Sequence, residues 1–187
     1  MLTALIASSF HHTALMYLAF SPLLLLTLNR LILIIALLTI SYLSGLSELL
    51  LHHLSDMTGL GIYEKVVNYQ LKVSYQRGVR WDFTLFSLFI ALISYFICRY
   101  LVIDKFKDGL IAALKVYLVL LIPFFLLGYA AFSNRFLYTA WLYLPFLAAA
   151  TLISARYFNN SKNWALYILM PLSPAVFVIM IINGFAR

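Results

Sequence analysis

The chain has 187 residues, of which 65% are hydrophobic and only 10% charged, and its mean hydropathy is +0.99. A soluble domain of this size needs a charged surface, and these residues cannot make one, so the composition excludes a soluble enzyme and points to a protein with several membrane spans. The net charge of +7 suits anionic partners, and the single cysteine, Cys98, excludes an intrachain disulfide.

The first stretch, "MLTALIASSFHHTALMYLAFSPLLLLTL", has no basic leader and no small-residue cleavage site, so it reads as a span rather than a signal peptide. In all, six apolar segments are long enough to cross a hydrocarbon core of about 30 Å, which takes about 20 helical residues. They are 2–28, 31–51, 83–102, 110–132, 136–154 and 164–184, in one membrane domain covering 1–187. No period-two alternation suggests a barrel, so the fold class is an all-α membrane protein. Prolines 22, 123, 145, 171 and 174 are expected to kink helices or mark their ends.

One connection, 52–82, is long and mostly polar. Within it "IYEKVVNYQLKVSY" sets Ile62, Val66, Tyr69 and Val73 at helical spacing, with Lys65 and Lys72 on another face. This predicts an amphipathic helix lying on the membrane surface. Basic residues divide evenly between the two sides. Those nearest span ends slightly favour the Arg30 side as cytoplasmic, which makes the 52–82 loop extracytoplasmic.

The loop ends in "YQRGVRWDF", which puts Arg77, Arg80 and Asp82 at the start of a span. Arginine grips phosphate oxygens in a bidentate fork, and two arginines three residues apart on a helix face the same way. Gly78 between them is expected to permit a close backbone approach. Asp82 can orient Arg80 or act as a base. Snorkelling to lipid head groups is the alternative for both arginines. His11 and His12 lie within the first span, where a polar ring faces either a cavity or a neighbouring helix. One of them is a candidate base or phosphate donor. His52 and His53 form a second pair. Adjacent histidines diverge on a helix, no carboxylate is read as joining them at ligand spacing, and no metal is expected. Glu48 is read as a partner for a loop arginine. Arg135 follows Ser133 and Asn134 in a tight connection, as a cap or a second phosphate contact. The chain has no nucleotide-binding glycine loop, nucleophile elbow or zinc motif, so no cofactor and no nucleic acid are implied. Chemistry by these residues requires a lipid-embedded anionic substrate.

Four stretches resemble the bacterial polysaccharide repeat-unit polymerases of the Wzy and EpsG-like group. "IASSFHHTALMYL" resembles their histidine signature, and "GVRWDF" their entry into the next span. "AALKVYLVLL" and "FSNRFLYTAWLYLPFL" follow in the same order. Members of that group are longer, so the resemblance implies a C-terminal portion. It also implies a helical fold similar to the GT-C glycosyltransferases, and a reaction. Oligosaccharide units on undecaprenyl diphosphate are joined at the outer face of the inner membrane, alongside a flippase and a chain-length regulator, into O-antigen, capsule or exopolysaccharide. Carried over, the signature histidine maps to His11. Gly78, Arg80, Asp82 and Phe83 fill the next motif, and Asn134, Arg135, Tyr138, Trp141 and Pro145 the last. His11, Arg80 and Asp82 are thus the catalytic candidates. Arg77, Arg135, Lys72 and Tyr75 are the substrate-binding candidates, Arg77 on charge alone. A transporter or a non-catalytic membrane subunit such as a flippase fragment is the alternative, though no repeat with broken helices supports transport.

The topology is testable. A cysteine at Asn68 should react with an impermeant thiol reagent in cells whose outer membrane is permeabilised. Protection there, together with labelling of Lys105→Cys, would reverse the orientation.

Overall fold

The computed structural model describes residues 13–59, 63, 78–129 and 133–154. Among them every regular element is helical. Helix α1, Thr13–Phe20, runs into a tight turn at Ser21–Leu25 and is followed by α2, Leu28–Leu43, and α3, Leu46–Thr58. Helix α4, Trp81–Phe96, extends through a wider turn, Ile97–Leu101. A short turn, Asp104–Phe106, leads into α5, Lys107–Leu127, and α6 is Ser133–Ser154. The protein is an all-α membrane protein. Three helical stretches are long and apolar enough to cross a membrane, Trp81–Leu101, Asp104–Leu127 and Phe136–Ser154. The bent pair α2–α3 makes a fourth if it counts as one span. The expected span 164–184, and the loop helix apart from Tyr63, lie outside the described residues, as does the start of 2–28.

Where one straight span is expected over 31–51, the structure has two helices bent by 87°. The reason is local. Gly45 adopts φ +76, a left-handed conformation that costs other residues roughly 1–2 kcal/mol, and it starts α3 in a new direction. Helix α3 also carries Glu48, His52, His53 and Asp56, and such residues are costly in hydrocarbon.

Helix α5 is the centre of the bundle. Of its spanning window 56% is buried, against 28% for those of α4 and α6. Tyr117, Leu121, Phe124 and Phe125 are fully enclosed. Helix α4 buries a stripe of small residues, Thr84, Ser87, Ala91 and Ser94, and exposes Leu85, Phe86, Phe89 and Leu92. This inverts the pattern of a soluble helix. Lipid solvates the large side chains, while small ones let backbones approach closely. Hydroxyls in the stripe find partners across the bundle. Trp141 Nε1 donates to Ser87 Oγ at 3.1 Å, Tyr117 Oη donates to the Ser87 carbonyl at 3.1 Å, and Thr151 Oγ1 bonds Ser94 Oγ at 3.2 Å.

The helix ends are tied at both faces. At one, the Ile103 amide donates to the Ser154 carbonyl at 2.9 Å. At the other, Tyr42 at the end of α2 donates to the Gly128 carbonyl at 3.3 Å and accepts from the Arg80 amide at 2.9 Å. Tyr42 is 1% exposed, so replacing it by phenylalanine strands a buried carbonyl and an amide together. Tyr42→Phe should cost about 1–2 kcal/mol, read as a lower thermal midpoint of the purified protein in detergent. An unchanged midpoint would show that this tie contributes nothing.

Candidate functional site

Arg80 sits where an irregular segment becomes a helix. Gly78 adopts φ +94, and its amide donates to the Tyr129 carbonyl at 3.4 Å. A Cβ on Gly78 would meet nothing within 4 Å, so positive φ and not a close approach is what requires glycine here. Residues 78–80 are not helical, so the expected helical pairing of Arg77 with Arg80 does not extend through this turn. The Arg80 carbonyl accepts the Thr84 amide at 3.1 Å and the Thr84 hydroxyl at 2.9 Å, which starts α4.

The Arg80 guanidinium is held from two directions. Asp82 takes it in a fork, Nε to Oδ1 at 2.9 Å and Nη2 to Oδ2 at 2.6 Å. Its Cζ lies 3.8 Å from the centroid of the Phe83 ring, a cation–π contact. Phe83 in turn meets Trp141 of α6 edge-on, at 5.0 Å and 85°. The two motifs that lie far apart in sequence, "GVRWDF" and "SNRFLYTAWLYLP", therefore join through Phe83 and Trp141. The Asp82 bond is the main cause that raises the Arg80 guanidinium above its ordinary value, so it stays charged. Among the described residues the Asp82 carboxylate engages two of the five guanidinium N–H donors. Both carboxylate oxygens are occupied, which favours orienting over proton transfer as the task of Asp82.

An apolar cleft of about 890 Å³ lies between α2 and α4, floored by Leu114 and Leu118 of α5. Thr39 and Ile40 of α2 and Leu85 and Phe86 of α4 line its end nearest Tyr42 and Arg80. Its α4 wall, Leu85 to Tyr95, extends about 15 Å, half of a hydrocarbon core of about 30 Å.

Of the site residues expected from sequence, the structure brings Arg80 and Asp82 together. Arg135 lies in the first turn of α6, and its side chain is outside the described residues, as are His11, Lys72, Tyr75 and Arg77. Glu48 accepts the Tyr63 hydroxyl at 3.4 Å, and its expected pairing with the loop's Arg77 lies outside the described residues. His52, read as lacking a carboxylate, has one: its Nδ1 lies 3.0 Å from Asp56 Oδ2. The four-residue spacing on α3 was the signal for that contact. Among the described residues no three His, Cys, Asp or Glu side chains converge on a metal position. Tyr42 carried no sequence signal, since a tyrosine at a span end is commonplace.

The EpsG family profile matches residues 1–186. No curated protein and no solved structure matches the chain.

Asp82 is 60% exposed, and an exposed ion pair contributes about 1 kcal/mol at most. Asp82→Asn should therefore lower the thermal midpoint less than Tyr42→Phe does. An equal or larger loss would make the Arg80–Asp82 pair a structural brace instead of a poised ligand site.

Proposed function

The chain belongs to the EpsG family, and from that premise we propose that it polymerises oligosaccharide units carried on undecaprenyl diphosphate, by glycosyl transfer at the outer face of the bacterial inner membrane. The observation that carries the reading is the Arg80 guanidinium oriented by Asp82 at the start of α4, the helix that also forms one wall of an apolar cleft. A polyprenyl diphosphate has a doubly anionic head on a long hydrocarbon tail. Arg80 suits the head, because a guanidinium grips phosphate oxygens through its planar N–H donors. The cleft suits the first part of the tail, and its depth matches one leaflet. A soluble nucleotide sugar needs neither feature.

In the reaction, an acceptor sugar hydroxyl attacks the anomeric carbon of the growing chain. The new glycosidic C–O bond forms as the bond from that carbon to the diphosphate breaks. The electron pair leaves with the diphosphate, and Arg80 stabilises the developing charge. The hydroxyl proton passes to a base, and His11 is the candidate for that role because Asp82 is engaged with Arg80. Arg77 and Arg135 supply further charge for the diphosphate, and Lys72 and Tyr75 contact the glycan.

Lysine keeps the charge of Arg80 but gives a point donor without the planar fork. Loss of one preorganised contact to developing charge costs about 2.7–4 kcal/mol, or roughly 100- to 1000-fold in rate. Arg80→Lys should abolish long-chain polymer while single units remain on the carrier. The readout is the polysaccharide ladder on a gel, at membrane abundance matched by immunoblot. A normal ladder would reduce Arg80 to a head-group anchor.

A further inference from the structure

Two groups hold the Arg80 guanidinium, and both lie in its own turn. Asp82 grips its edge, at 2.9 and 2.6 Å, and the Phe83 ring covers its face, at 3.8 Å. The Arg80 side chain is 17% exposed, although that of Asp82 is 60% exposed. An exposed carboxylate two residues away can swing with the arginine, and such a pair is weakly held in water. The face contact differs, because Phe83 is itself held from another helix. Its ring meets the Trp141 indole of α6 edge-on, at 5.0 Å and 85°. Phe86, one turn along α4, meets the same indole at 5.9 Å and 89°.

The direction of the indole N–H is a second observation. A tryptophan that serves as an interfacial anchor turns its N–H to head groups or water. Trp141 turns it inward, to Ser87 Oγ at 3.1 Å, and Ser87 is fully buried. The Ser87 carbonyl accepts the hydroxyl of Tyr117, which is fully buried in α5. A line of contacts therefore runs from the centre of the bundle to the guanidinium, through Tyr117, Ser87, Trp141, Phe83 and Arg80. Small residues suffice to bring α4 and α6 close. An indole clamped by two rings and a hydrogen bond adds orientation.

We infer that Trp141 is a positioning residue for the transfer reaction, acting through Phe83 to hold the Arg80 guanidinium in the orientation that meets the departing diphosphate. The inference rests on the polymerase reading, and it names the group outside the Arg80 turn on which that turn's chemistry depends. In this role Trp141 touches no reacting atom. Donors stabilise developing charge best when they already point at it, because turning them during the reaction forfeits part of the gain. The Phe83 ring gives the planar guanidinium a face to lie against, and Trp141 keeps that face from turning.

The test measures the first coupling step, in which two lipid-linked single units extracted from the native host form a two-unit product. The full chain is assayed at matched abundance in membranes of a host strain whose own copy is deleted. Trp141→Leu removes the indole and leaves an apolar side chain suited to a spanning helix. It should slow coupling about 10- to 100-fold. Ser87→Ala removes only the acceptor of the indole N–H, keeps the carbonyl for Tyr117 and preserves the small stripe of α4. It should slow coupling about threefold to tenfold. A merely structural residue would act independently of Arg80, so the deciding readout is the double variant. With Arg80→Lys already present, Trp141→Leu or Ser87→Ala should slow coupling no further. If Trp141→Leu fails to accumulate in membranes, the Ser87→Ala pair decides. Wild-type rates from the single variants, or losses that multiply with that of Arg80→Lys, would overturn the role of Trp141. Coupling unaffected by Arg80→Lys itself would instead count against the proposed function.

Discussion

The hydroxyl of Tyr42 is the contact on which the rest of the site depends. It is fully buried, donates to Gly128 at the end of α5 and accepts from the Arg80 amide at the start of α4. Three chain segments thereby meet at one oxygen. In a low-dielectric setting such a group is strong when satisfied and costly when not. In the irregular turn of residues 78–80 the Arg80 carbonyl starts α4, while the Gly78 and Arg80 amides are held by the Tyr129 carbonyl and the Tyr42 hydroxyl, which set its position. Arg80 cannot aim its side chain until its backbone is fixed in this way.

Packing in the bundle explains why the aromatic residues gather where they do. With lipid outside, burying large apolar groups brings little advantage, so close contact comes from the small stripe of α4. That stripe draws α6 in and sets Trp141 against Ser87 and Phe83. Phe83 then underlies the Arg80 guanidinium. A hydroxyl in a membrane helix and an arginine at its mouth are therefore parts of one stack. On the other side of α4 the helices stay apart, and the space between α2 and α4 is the apolar cleft.

The bend at Gly45 divides the labour between membrane and water. Before it, α2 is an apolar wall of the cleft. After it, α3 carries the carboxylates and imidazoles that hydrocarbon would penalise. One residue with positive φ thus separates an apolar surface from a polar one.

The sequence by itself determined the class, because a chain 65% hydrophobic has no other solvent than lipid. It placed the spans near 83–102, 110–132 and 136–154, because uninterrupted apolar length is a local property. It also singled out Arg80 and Asp82, since charges are conspicuous where few exist. The rest required the tertiary structure. Apolar length cannot tell a straight span from one that turns by 87°, because the turn depends on the backbone angle of Gly45. The spacing of Arg77 and Arg80 suggested a shared helix face, yet φ +94 at Gly78 takes the turn out of helical geometry. Tyr42 and Tyr129 lie 38 and 49 positions from Arg80, and no local pattern links them to it. Only the folding of α2, α4 and α5 against one another decides which buried hydroxyl meets which backbone group, because hydrogen bonds between distant segments depend on three-dimensional register and not on neighbours in the chain.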